Sequence, residues 1–414
     1  MRNRRLLAIL MIALSALMLL RFVEVWGVLS PSQVRTSDYT SSYVAAQSWR
    51  SGDGAHIYDR ATQLAGHRAL GTATTAQGLS YVNPPLSAVI AAPFSLLGYV
   101  ASYRVFAVFQ FLLVLAAVAL AVRIAPWPRS TPRLARLAVG MLALAGTGTG
   151  EILLQAQWDG IAALGLALAY AAWRRGWSGW AGVALALAFG ITKPHLVFGL
   201  VAFLIARGQR RALAGAVAAT GAMVVASLLL VGVHGTLAFI SAPGNSIEVS
   251  PLPTMLGFTG LVYSNLQQGL AAQALSALGG ALAIALAATL GSVSRRHPDR
   301  LEYALGGAVL LSLLCAPHLL VHDLVLLAPV LVWCVARAGH SLRDGATSWA
   351  ELGLVGGWIA LSYAALIDVG NGTVGAPGRL VPWLLLVGAG AAVYVCCGGR
   401  RAMHRRLEPA ISAG

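Results

Sequence analysis

Long apolar runs alternate with short arginine-bearing polar stretches along almost the whole chain. An α-helix needs about 20 apolar residues to cross the ~30 Å hydrocarbon core of a bilayer. Inside that core every backbone polar group must be satisfied within the segment. The pattern therefore predicts an all-α polytopic membrane protein, a single integral-membrane domain over 1–414. It predicts about 12 transmembrane helices (range about 11–13). The expected spans are 6–29, 103–124, 134–154, 158–173, 178–192, 194–207, 211–233, 271–291, 301–316, 320–337, 349–368 and 380–397. Those at 158–173, 178–192 and 194–207 are short, as helices are where the bilayer thins or a cavity is flanked.

Where the pattern breaks, loops are predicted. Residues 30–82 form a first extracytoplasmic loop with two helix-like pieces, 38–50 and 57–70, of mixed polar and apolar character. These read as helices on the membrane surface. Residues 83–100, NPPLSAVIAAPFSLLGYV, carry Pro84, Pro85 and Pro93 and read as a re-entrant or interfacial helix. Were this segment to cross, every Arg-rich loop after it would land outside. Residues 234–270 are rich in Pro, Gly, Ser and Asn, which argues against a span. Phe239, Met255, Phe258 and Tyr263 suggest that this second extracytoplasmic loop is a structured lid or cavity wall. Residues 368–379 form a turn-rich connection, and 398–414 form a cytoplasmic basic tail. The opening MRNRR with the apolar run behind it reads as a retained signal anchor, with Arg21 and Glu24 paired near its outer end.

Composition strengthens this picture. The chain is 58% hydrophobic and 10% charged, with mean hydropathy +0.74, against about 25% charged in a soluble domain. The net charge of +15 would suit nucleic acid, but its distribution excludes that partner. Arginines cluster between apolar runs, at 2–5, 123–136, 174–175, 207–211, 295–300 and 400–406. This is the positive-inside pattern of cytoplasmic loops, and it puts both termini in the cytoplasm of a plasma-membrane protein. The four cysteines form no disulfide framework and no metal motif.

Under that topology, Asp38, Asp53, Asp59, Glu151, Asp159, Glu248, Asp323 and Asp368 all lie at or beyond the outer ends of spans. The only lysine, Lys193, lies there too, in TKPH at 192–195. So do His318, His322 and Asp323 in APHLLVHD, and Gln155 and Gln157 in QAQWD. Ionisable groups at membrane depth are costly and mark function. Each also has a structural reading. Asp38 suits a helix N-cap. Lys193 suits snorkelling or a point charge on a phosphate. His318 and His322, four apart, would share a helix face, and this pair alone does not make a metal site. Gln157 suits an interhelical hydrogen bond. Tyr81 and Asn83, with the prolines, suit a tight helix entry. Together these residues suit a lipid-linked substrate entering from the bilayer. Lys193, with His195 or His322, would hold its phosphate. Asp38 would accept a proton from an incoming hydroxyl. No acidic cluster demands a divalent ion, so no metal or other cofactor is required.

Four stretches also carry a resemblance: S-D-Y-x-x-x-Y-x-A-A at 37–46, Y-V-N-P-P-L-S at 81–87, L-L-Q-A-Q-W-D-G-I at 153–161 and G-I-T-K-P-H at 190–195. In this order the chain resembles the polyprenyl-phosphate-mannose-dependent α-1,2-mannosyltransferases of actinobacteria, glycosyltransferase family 87 of the GT-C superfamily. P-H-x-x-x-H-D at 317–323 extends the match more loosely. Ala156, Asp159 and Asn83 stand where that family has Gly, Asn and Tyr, departures that bear on substrate more than on fold. The resemblance implies a GT-C fold and transfer of a sugar from a polyprenyl-phosphate donor to a glycolipid or envelope glycan, outside the cytoplasm and with inversion. It gives Asp38 the role of general base and assigns His322, the second catalytic candidate, to donor phosphate and active-site support. Lys193, His195, Gln157, His318, Asp323, Tyr39, Tyr43 and Asn83 become candidates for holding donor phosphate and substrate. A lipid-sugar flippase and a non-catalytic envelope-assembly protein are the alternatives.

Overall fold

The computed structural model describes residues 2–72, 80–246, 252–341, 349–370 and 379–398. Those residues contain helices and no strands. The basic cluster at 400–406 and Glu248 lie outside them.

Helix α1 (Arg2–Gly27) is apolar almost throughout. Leu6, Leu17 and Leu20 stand exposed on it, as a lipid-facing surface requires. Arg21 donates to Glu24 at 2.7 Å. A capping box then starts α2 (Pro31–Val34): Ser30 Oγ accepts from the Gln33 N–H, and Gln33 Oε1 accepts from the Ser30 N–H. Helices α3 (Tyr39–Arg50) and α4 (Arg60–Ala69) follow. The expectation that the first of these lies on the membrane surface is corrected. Residues Tyr39 to Ala46 of α3 are buried in protein, because Tyr39 and Tyr43 pack on Tyr99, Tyr103 and Phe106.

Residues 83–100 form the seven-residue α5 (Pro85–Ala91), a 3₁₀ turn at Phe94–Leu96 and the start of α6 (Tyr99–Ile124). Helix α5 is about 10 Å long at ~1.5 Å per residue. After α6, Pro126, Pro128 and Pro132 prevent further helix until α7 (Arg133–Leu144). The expected span 134–154 divides here. Helix α8 (Thr147–Gln155) leaves α7 at 50°. Trp358 fills the bend: its indole N–H donates to the Leu142 carbonyl at 2.9 Å, and a Cβ on Gly146 would lie 2.4 Å from its ring.

Next come α9 (Asp159–Arg174), α10 (Ser178–Ile191) and α11 (Phe198–Arg207). Pro194 breaks the last two apart at Lys193. Small residues bring these helices close, as in membrane bundles. A Cβ on Gly182 would sit 1.7 Å from the Ala212 carbonyl oxygen, on α12 (Arg210–Ser246). Helix α12 is bent at Gly232 (φ 68°) and continues past the expected end of its span, so the stretch 234–246 is helical rather than loop. Helix α13 (Phe258–Tyr263) lies in the remainder of that connection. It leads to α14 (Leu270–Arg296), α15 (Leu301–Cys315), α16 (Leu327–Ala338), α17 (Trp349–Gly370) and α18 (Leu380–Gly398).

Among the described residues, seven helical stretches are long and apolar enough to cross a membrane alone, and eight if the bent α7–α8 pair is one span. The other four expected spans, α9, α10, α11 and α15, have 16, 14, 10 and 15 residues, below the ~20 needed to cross unaided. The stretch Val321–Ala338 is 94% buried and is the axis of the molecule. It packs against α6, α7, α9, α15 and α17, with Trp333 stacked on Tyr170 at 4.1 Å.

Candidate functional site

The four stretches that carry the resemblance meet at one end of the helix bundle. Residues 155–159, between α8 and α9, are the hub. The turn is made by Ala156 in the left-handed region (φ 49°, ψ 55°), the only non-glycine residue with positive φ among those described. It aims Gln155 and Gln157 at one residue. The Asp38 N–H donates to Gln155 Oε1 at 3.3 Å, and Gln157 Nε2 donates to Asp38 Oδ2 in a short hydrogen bond. Next to them, the Trp158 indole donates to Ser42 Oγ at 3.1 Å.

The N-cap reading of Asp38 is corrected. Asp38 precedes α3 with helical backbone angles, and its side chain makes no capping bond, because Gln157 holds the carboxylate instead. Burial pushes its carboxyl above the usual carboxylate range, against the hydrogen bond from Gln157 and the charge of Lys193, while Asp323 adds to the rise. A base with a raised pKa accepts protons more readily near neutrality.

Two residues along the hub, Asp159 begins a buried charge cluster. Lys193 Nζ donates to Asp159 Oδ2 at 3.1 Å and to Asp323 Oδ1 at 2.5 Å. His322 Nε2 lies 4.0 Å from Asp159 Oδ2 and 3.8 Å from Asp323 Oδ1. Both carboxylates are fully buried. Asp323 Oδ2 accepts the Leu320 N–H at 2.7 Å, while Asp159 Oδ1 is buried with no hydrogen-bond partner among the described residues. Asp159, His322 and Asp323 offer ligand atoms within 4.8 Å of one another, a spacing that fits a metal ion. The Lys193 ammonium, however, bonds both carboxylates of that set and acts as their cation.

The remaining candidates divide. His195 Nε2 reaches the His318 carbonyl at 3.0 Å, with the two rings 6.3 Å apart. The helix face expected for His318 and His322 does not form. Pro317 ends α15 at Cys315, and helical structure resumes only at Val321. Tyr39 and Tyr43 are tied into packing: the Tyr39 hydroxyl bonds Ser102 Oγ at 2.7 Å, and that of Tyr43 donates to the Leu97 carbonyl at 2.9 Å. Asn83 accepts the Tyr58 hydroxyl on its backbone carbonyl at 2.7 Å. Four residues on, Ser87 donates to the Ile191 carbonyl in a short bond, which docks α5 beside Lys193.

Asp159 and Gln155 are central here although sequence reasoning gave neither a role. Their signal was position, since both flank Gln157 in QAQWD. Arg104 was missed altogether. Its guanidinium donates to the carbonyls of Trp26 and Leu29, closing the C-terminal end of α1 and fixing where the Asp38 loop begins.

No curated protein and no solved structure matches the chain. The model of glycosyltransferase family 87 matches residues 81–317, which takes in the α5 stretch, the hub and Lys193. The chain belongs to glycosyltransferase family 87 and is a membrane glycosyltransferase.

Proposed function

We propose that this enzyme is an inverting transferase of the GT-C type. It moves a mannosyl or related residue from a polyprenyl-phosphate sugar to a glycolipid or envelope glycan, on the extracytoplasmic face of the plasma membrane. The observation that carries the reading is the bonding of one hub to both Asp38 and Lys193. A β-linked mannosyl phosphate that yields an α-mannoside requires one displacement. Asp38 takes the proton from the acceptor hydroxyl as that oxygen attacks the anomeric carbon, and the polyprenyl phosphate leaves. Gln157 fixes the carboxylate at the attack position.

Lys193 takes a narrower role than a simple phosphate clamp. Two carboxylates flank its ammonium, so its first task is to neutralise them. Its third N–H, with His195 and His318, remains for the donor phosphate, and His322 supports the cluster. Tyr39 and Tyr43 position the loop that carries Asp38. No metal enters this chemistry.

The test supplies labelled polyprenyl-phosphate mannose to membranes that contain the protein. Incorporation of label into glycan is expected. Movement of label across the bilayer without a new glycosidic bond would make the protein a flippase, and inert label would point to an assembly role.

A further inference from the structure

A second cluster of ligating groups lies apart from Asp38 and Lys193. His56 and Asp59 belong to the first long loop, and His234 belongs to α12, two residues past its bend at Gly232. His56 Nδ1 lies 2.7 Å from Asp59 Oδ2, and His234 Nε2 lies 3.3 Å from Asp59 Oδ1. The two imidazoles are 5.2 Å apart, and one ligand atom from each of the three residues falls within 4.8 Å of the others.

We propose that His56, Asp59 and His234 bind a divalent transition metal of the zinc class and staple the first loop to α12. Two imidazoles and a carboxylate are the donor set that such an ion prefers. Donors at about 2.0–2.1 Å on a tetrahedral ion stand roughly 3.3 Å apart, close to the spacing already present. All three side chains are at least one-third exposed, which leaves the fourth position to water. The backbone is preassembled for the site. Trp49 donates its indole N–H to the Leu230 carbonyl at 3.1 Å. A Cβ on Gly235 would lie 3.1 Å from the Ala55 carbonyl oxygen, so loop and helix are already in contact. Gly232, in the left-handed region that glycine favours, turns α12 so that His234 faces the loop.

The test measures zinc bound by the tag-free, full-length protein in detergent, after dialysis against a zinc buffer. The wild type is compared with the His56→Ala/His234→Ala double variant. The wild type is expected to retain one more zinc ion per chain, to gain melting temperature with zinc, and to lose that gain with EDTA. Should the double variant fail to fold, His234→Gln and Asp59→Asn keep polar side chains of similar size and are each expected to bind zinc at least tenfold more weakly. Zinc content and melting behaviour equal to wild type in these variants would overturn the proposal.

Discussion

Asp38 is both the residue the proposed chemistry needs and a cost to the fold. Its carboxyl is held above the ordinary range by burial. A carboxyl whose folded pKa exceeds its unfolded value makes the folded state relatively most stable at low pH, and that advantage is lost as pH rises through the folded pKa. Asp38→Asn removes the charge. It should lower sugar transfer by about 10²–10⁴-fold, the usual worth of a general base, while raising the melting temperature at neutral pH. That stability gain should shrink as pH falls toward the folded pKa. Transfer by the wild type should begin to fail on acidification above the ~3.9 of a free aspartate. Transfer rates and melting curves across pH, recorded on one pair of proteins, check all four outcomes.

Lys193→Met should behave differently. It strands two buried carboxylates, a loss of roughly 3–5 kcal/mol, and should destabilise the protein as well as silence it. Thermal unfolding in detergent separates it from Asp38→Asn. At this scale much was readable beforehand. An acid after the first span, a lone lysine and two glutamines stand out against an apolar background. The partners of Lys193 were not readable. Asp159 and Asp323 are 34 and 130 residues away from it, and no local pattern encodes that pairing. The hydrogen bond by which Gln157 holds the Asp38 carboxylate was not readable either, because an N-cap aspartate carries the same local signature.

Between helices, backbone breaks do the positioning. Ala156 holds the left-handed turn that points Gln155 and Gln157 at Asp38. A side chain there costs on the order of 1 kcal/mol relative to glycine. Ala156→Gly should therefore be tolerated with near-normal transfer, whereas Ala156→Val, β-branched at positive φ, should lose stability and transfer together. Expression level, melting temperature and turnover of the two variants test this. At the other end of the bundle, Glu302 on α15 ties α9 to α16. It accepts the Tyr170 hydroxyl at 2.7 Å, and Arg174 and Arg337 lie at 3.7 and 3.9 Å. Glu302→Ala should cost roughly 2–3 kcal/mol, below the full penalty for a buried pair because Arg174 is partly exposed. Sugar transfer per folded molecule should be unchanged at permissive temperature. Periodicity located nearly every helix, since apolar runs dictate them. It placed the bends poorly. The α7–α8 bend depends on Trp358, more than 200 residues away, and the kink in α12 sits at Gly232, one of many glycines in the apolar runs.

The contacts sort the described residues between two ends of the molecule, and which end faces which side of the membrane can be tested as a unit. The Tyr99 hydroxyl, at the start of α6, bonds Ser37 and Thr40 beside Asp38. The 26 residues of α6 then carry the chain about 39 Å away, at ~1.5 Å per residue. Helices α7 and α8 return it, because Gln155 and Gln157 touch Asp38. The bent pair therefore joins the two ends of the molecule and does not turn back midway. From there the chain alternates. Lys193, Leu230 with Trp49, and His318 with His195 lie at the Asp38 end. Arg207 on Ser294, Arg337 near Glu302, and Arg300 on Cys396 lie at the other. The arginine-rich turns thus gather at one end and the candidate site at the opposite one. The positive-inside rule predicts that the arginine end faces the cytoplasm. Cys397, the exposed cysteine at the end of α18, should react with a membrane-impermeant maleimide only after intact cells are permeabilised. A cysteine introduced at Asp53, in the first loop, should react without permeabilisation. Labelling of Cys397 in intact cells would invert the molecule. It would place Asp38 in the cytoplasm, where a polyprenyl-phosphate donor on the outer face could not reach it.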